Sequence, residues 1–178
     1  NLLAESVPDY YLLELSSFQL ELVTSLRQHI AVILNIMPDH MDRYDDFSAY
    51  WAAKLRIADG ARHCVYSARQ PDIVKGLSAE HVSSFGDAKA DCRVVEATHG
   101  RQLYYQGRML GCVDDFVLQG EHHWNNACAA IAVAAYAGLD LTDAFAVCRS
   151  FTGLAHRCQR ISQFRQVDWY NDSKATNE

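Results

Sequence analysis

The sequence predicts an α/β fold: an open, mostly parallel sheet flanked by helices, with an added strand-rich region. Three observations predict it. Short apolar runs alternate with helix-period patterns up to residue 67, the order that builds parallel sheets covered on both faces. A long alanine-rich pattern, "EHHWNNACAAIAVAAYAGL" over 121–139, supplies a covering helix. Polar clusters follow the apolar runs, where open α/β sheets bind their ligands.

Each element has its own reason. "YYLLEL" (10–15) reads as a first strand, and a helix is expected from Ser17 to about Arg27. "AVILNI" (31–36) is a buried strand, followed by a helix over Asp46 to Ala58 and the strand "HCVYS" (63–67). A glycine-punctuated, strand-rich region follows in "HVSSFG", "CRVVEA" and "RQLYYQGRMLGCV", where "QGRM" turns a hairpin. The helix over 121–139 ends at Gly138, and another runs from about Leu141 to Phe151 with Thr142 or Asp143 in its first turn. The tail "CQRISQFRQVDWYNDSK" reads as two strands joined by a turn, without repeat or low-complexity linker.

Composition excludes several classes. With 178 residues and 49% apolar content the chain can bury a substantial core. A formal charge of -6 without a basic run argues against nucleic-acid binding. No uncharged span is long enough for a bilayer, so no membrane insertion and a cytoplasmic location are expected. Six cysteines without a CxxC pair read as ordinary reduced thiols. Asn1 is not a natural initiator and "NDSKATNE" stops without a closing turn, so both ends are expected to be cut.

Three polar clusters stand at strand ends: Glu14, Ser16 and Ser17; Asp39, His40 and Asp42; Asn171, Asp172, Ser173 and Lys174. Any one of them is explained by helix capping, but three together favour a site. Lys54 shares a helix stripe with Phe47, Tyr50 and Trp51. Lysine usually snorkels from such a stripe. The functional alternative is a desolvated amine that takes up carbon dioxide as a carbamate, completing with Glu14 and His40 an oxygen-rich site suited to magnesium or manganese. His122 and Asn126 share a face of the long helix, with His123 further round. Arg157 can clamp a phosphate or form a surface ion pair.

"LELSSFQLE", "ILNIMPDHMDRY", "AAKLRI", "GEHHWNNACAA", "FTGLAHR" and "NDSKATN" occur in one order across nearly the whole chain. Together they resemble the Mur ligase family, and within it the members that add D-glutamate. The resemblance implies an ATP-dependent amide ligase joining D-glutamate to UDP-N-acetylmuramoyl-L-alanine through an acyl phosphate, with Mg2+ or Mn2+ and N6-carboxylysine at Lys54. It implies Lys54 and His40 as catalytic residues and Glu14, His40 and Lys54 as metal-binding. It places nucleotide contacts at His122, His123, Asn126, Arg157 and Asp172, and substrate contacts at Ser16, Gln19, Lys174 and Thr176. Residues 1–153 would be a P-loop-like central ATP-binding domain, and 154–178 the opening strands of a Rossmann-like third domain. The intact enzyme is expected to be monomeric.

Two departures stand out. The family's His-Asn-x-x-Asn helix start is here His122-His123-Trp124-Asn125-Asn126, and none of the nine glycines forms G-x-x-x-x-G-K-[ST]. The first strand and phosphate loop are therefore expected upstream of Asn1, and the 178-residue piece alone is expected to be inactive. Rival readings are another Mur or folylpolyglutamate-type ligase, a carbamate-bridged metal hydrolase, and a non-catalytic nucleotide-binding module on the same scaffold.

Overall fold

The computed structural model describes residues 8–174. A six-stranded sheet runs in sequence order: β1 (Ile30–Ile33), β2 (His63–Ser67), β3 (His81–Phe85), β4 (Cys92–Ala97), β5 (Gly100–Tyr105) and β6 (Arg108–Cys112). β1 to β4 pair in parallel, while β4, β5 and β6 form an antiparallel meander. The expected mixed, mostly parallel sheet is present, and its carboxyl edge collects the turns after β1, β2 and β3.

Period-two alternation divides the core between two faces. On β1, Ala31 and Ile33 join one apolar cluster, whereas Ile30 and Val32 pack against the other. The first cluster is closed by α2 (Phe47–Leu55) and the 3-10 turn Arg56–Ala58, with Tyr50 and Ala58 buried. The second lies under α4 (Glu121–Tyr136), whose Cys128, Ile131 and Ala132 are fully buried, and is flanked by α5 (Leu141–Ser150) through Phe145. Burying a side chain such as Ile131 stabilises the fold by about 1.5–3 kcal/mol.

Several boundaries depart from the sequence reading. "YYLLEL" is not a strand: no strand pairs with it among the described residues, and Leu12 is 94% exposed. A lone extended segment cannot satisfy its backbone through a ladder. Its Tyr10 hydroxyl instead donates to the Ala137 carbonyl at 2.7 Å. The first helix is also shorter than expected. α1 (Ser17–Leu22) stops because Val23 is extended, and the Arg56 guanidinium donates to the Val23 carbonyl at 3.0 Å. The long helix ends at Tyr136, with Gly138 left-handed (φ 74°) and Leu139 N–H bonded back to Ala134.

α5 starts at Asp140, whose side chain accepts from the backbone N–H of both Thr142 and Asp143. The hairpin turn between β5 and β6 falls at Gln106–Gly107, both at positive φ, as a tight two-residue turn requires. A four-residue helix, α3 (Asp72–Lys75), follows β2 and has no counterpart in the sequence reading. The tail forms the expected two strands, β7 (Gln159–Phe164) and β8 (Val167–Asn171), as an antiparallel hairpin with an Arg160–Asp168 ion pair at 2.6 Å. No helix among the described residues is long and apolar enough to cross a membrane.

Candidate active site

The loop after β1 carries His40, held at φ 54° with its N–H donating to Asp39 Oδ1 at 2.8 Å. A left-handed, non-glycine residue needs surrounding contacts to hold it there. The ring of Phe18, on α1, lies 4.9 Å from the His40 ring, and the Arg43 guanidinium covers Phe18 at 4.6 Å. Arg43 also pairs with Glu21 at 3.2 Å, so α1 and the His40 loop are bound together.

Ser16 and Gln19 are occupied as the capping box of α1. The Ser16 hydroxyl accepts from the Gln19 N–H at 3.3 Å, and Gln19 Oε1 accepts from the Ser16 N–H at 2.9 Å. Capping holds both side chains at the start of α1. Glu14 is exposed just ahead of them, and Lys54 is half-buried in the last turn of α2. Asp46 caps that helix by accepting from the Ala49 N–H at 2.8 Å.

The donor types of Glu14 and His40 suit a hard divalent ion, while Lys54 becomes a donor only once carboxylated. No group of three or more His, Cys, Asp or Glu able to hold a metal occurs among the described residues. An ion held by Glu14, His40 and a carboxylated Lys54 would leave further positions to phosphate and water oxygens, as is usual for magnesium.

α4 and α5 enclose a groove of about 290 Å³ lined by Phe116, Leu118, His123, Asn126, Val147 and Phe151, among others. It offers an apolar slot with polar groups at one side, the usual construction of a small-ligand site. Sequence spacing put His122 and Asn126 on one face and the family resemblance added His123; of the two histidines it is His123, three residues before Asn126, that lines the groove. Burial, with the adjacent His122 ring adding to it, holds His123 below its ordinary histidine value, so its ring is a neutral donor and acceptor. The His122 and His123 rings lie 3.9 Å apart. The apolar walls had no sequence signal, because they come from three segments.

The third cluster is partly assembled. Asp172 accepts from the Cys158 N–H at 3.0 Å, Lys174 N–H donates to the His156 carbonyl at 3.2 Å, and Arg157 sits between His156 and Cys158. Asn171 Nδ2 meets His156 Nδ1 at 2.9 Å, tying this loop to the end of β8. Asn171 belongs to the third polar cluster expected from the sequence, whereas His156, although inside a quoted motif, was given no role there. His156 and Cys158 are left-handed (φ 65° and 42°), so the loop is held in a strained shape around Arg157. Thr176 lies outside the described residues.

The fold and this edge define a class: residues 1–134 match the Mur ligase middle domain, and the chain belongs to the Mur ligase family. Relatives named UDP-N-acetylmuramoylalanine–D-glutamate ligase include one from Coxiella burnetii, 41% identical over 172 residues, covering 96% of this chain and 39% of the relative. The Pseudomonas aeruginosa enzyme of that name is 40% identical over 182 residues, covering 99% of this chain and 40% of its own. The chain thus spans about two fifths of the length of the curated relatives it matches. Among solved structures, MurF from Acinetobacter baumannii superimposes with a TM-score of 0.65 at 20% identity, over 88% of this chain and 35% of that one. That likeness is one of fold.

Proposed function

We propose that this chain is the ATP-binding part of a ligase that adds D-glutamate to UDP-N-acetylmuramoyl-L-alanine, giving ADP and phosphate. The observation that carries the reading is the α4–α5 groove, which presents His123 and Asn126 beside apolar walls where the family resemblance expects a nucleotide. The names of the relatives support the acceptor and the amino acid. Residues 1–153 would belong to the central domain and 154–178 to the start of the next.

A carboxylate is a poor electrophile. ATP therefore transfers its γ-phosphoryl group to the alanyl carboxylate, and the amine of D-glutamate attacks the resulting acyl phosphate, forming the amide and expelling phosphate. The apolar walls of the groove would exclude water around the base, with His123 and Asn126 supplying hydrogen bonds to it. Arg157 would face phosphate oxygens, Asp172 would hold its loop through the Cys158 N–H, and Lys174 and Thr176 would lie toward the incoming glutamate. Ser16 and Gln19 would meet the UDP-muramoyl substrate. Glu14, His40 and a carboxylated Lys54 would hold Mg2+ or Mn2+, which neutralises crowded phosphate oxygens when bound. The site would work in the cytoplasm in a monomeric enzyme.

The test is phosphate release by the full-length protein with both substrates and ATP, for wild type and Lys54→Ala, with and without short carboxylic acids. The reading expects a large loss in the variant and partial restoration by the acids. Full activity of Lys54→Ala would leave the lysine a snorkelling surface residue, and release that does not require D-glutamate would end the ligase assignment.

A further inference from the structure

Two adjacent residues at the tip of β2, Arg69 and Gln70, reach in opposite directions across the carboxyl edge. Gln70 reaches toward the loop after β1: its Oε1 accepts from the Ile36 N–H at 2.7 Å and its Nε2 donates to the Ile36 carbonyl at 2.8 Å. One carboxamide therefore satisfies both backbone groups of a residue that is 1% exposed, standing in for a neighbouring strand. Ile36 is four residues before His40.

Arg69 reaches the other way. Its Nε donates to the Gly86 carbonyl at 2.8 Å, just after β3, and its guanidinium pairs with Glu121, the first residue of α4. That helix start has no side-chain cap, because its N-cap is Gly120. Gly86 is left-handed (φ 86°), and a Cβ there would meet Asn125 Oδ1 at 3.2 Å, so α4 sits close against this turn. The base from which both side chains spring is itself fixed. Ala68 N–H bonds to Phe85, Gln70 N–H to Ser67, and Ile73 N–H to Gln70.

We propose that Arg69 and Gln70 are positioning residues: Gln70 fixes the His40 loop and Arg69 fixes the start of α4, which carries His123 and Asn126. This rests on the ligase reading for its catalytic consequence, but the bracing itself stands on the hydrogen bonds and the ion pair alone. Both contacts join residues far apart in sequence, 34 positions for Gln70–Ile36 and 52 for Arg69–Glu121, which is why no local motif announces them.

The experiment uses full-length protein carrying Gln70→Ala, Gln70→Glu or Arg69→Ala, with hydrogen–deuterium exchange of peptides and steady-state kinetics. Gln70→Ala is expected to speed exchange in 34–43 about tenfold, the change from losing backbone hydrogen bonds of ordinary net strength, while 120–128 stays protected. It should lower kcat with little change in the ATP KM. Arg69→Ala should do the converse, loosening 120–128 and raising the ATP KM several-fold more than it lowers kcat. Gln70→Glu keeps the acceptor for Ile36 N–H and should give an intermediate effect, so the test survives if the alanine variant folds poorly. Unchanged exchange, or loosening of both segments in every variant, overturns the brace. Wild type without ATP-dependent ligation overturns the ligase reading alone, and the exchange data still decide the brace.

Discussion

Gly111, on edge strand β6, lies against α5. A Cβ built there would lie 2.5 Å from both Cε1 and Cζ of Phe145, a ring that is buried and packs edge-on against Phe116 at 5.3 Å. Gly111→Ala therefore isolates a packing effect, because the backbone there is not left-handed. Replacing a strand glycine by alanine otherwise favours folding by roughly 0.5–1 kcal/mol through the unfolded chain. Forcing the Phe145 ring aside costs about 1–3 kcal/mol, since a closed core resists an added methyl. With two ring carbons met at 2.5 Å the upper half of that range applies, so the net expectation is a loss of about 1–2.5 kcal/mol, or roughly 2–10 °C in melting temperature for a chain of this size.

The assay is thermal and urea unfolding of Gly111→Ala, Phe145→Leu and the double variant. The urea midpoint should fall without a change in slope. The double variant should lose less than the sum of the singles by about 0.5 kcal/mol or more, because the smaller side chain makes room for the methyl. A Gly111→Ala protein as stable as wild type, or strict additivity with Phe145→Leu, would refute the close approach of α5. That approach also sets the groove, since Val147 and Phe151 lie on or beside the same helix.

Other outcomes follow from particular groups. His63 lies between the rings of His81 (5.2 Å) and Tyr136 (4.1 Å), with His29 edge-on at 5.2 Å. Burial first, then repulsion from His29, His81 and Arg62 against a weaker pull from Glu80, holds its pKa below the ordinary 6.5. The unfolded chain then takes up the proton more readily, so this contribution to stability is complete above about pH 6.5 and is lost as pH falls toward the folded value. Melting from pH 8 to 5 should show a shallower decline in His63→Phe than in wild type. Asp140→Ala removes the acceptor for two N–H groups at the start of α5 and should cost about 1 kcal/mol in urea unfolding.

The sequence was most legible where local pattern and tertiary demand agree. "HCVYS" is β2 to the residue because its apolar run is buried on both faces, and the Gln106–Gly107 turn was readable from glycine alone. "YYLLEL" has strand composition, yet a strand is defined by its partner, which composition does not reveal. α3 is too short for a periodic signal. Within the site, residue types were legible one segment at a time. That His123 lines the groove beside Asn126 depends on where α5 and the 113–120 loop lie against α4, and the bidentate Gln70–Ile36 contact depends on the order of strands.

The proposed nucleotide site is the α4–α5 groove. Ala130 is exposed on its wall, so Ala130→Trp fills the slot without disturbing the core. The decisive measurement is calorimetric titration of ATP into the full-length wild type and this variant, with melting temperatures as a control. Wild type is expected to bind, and Ala130→Trp to bind at least about tenfold more weakly at equal stability, the loss expected when base contacts worth about 1–3 kcal/mol are blocked. Equal ATP affinity in the two proteins would contradict it.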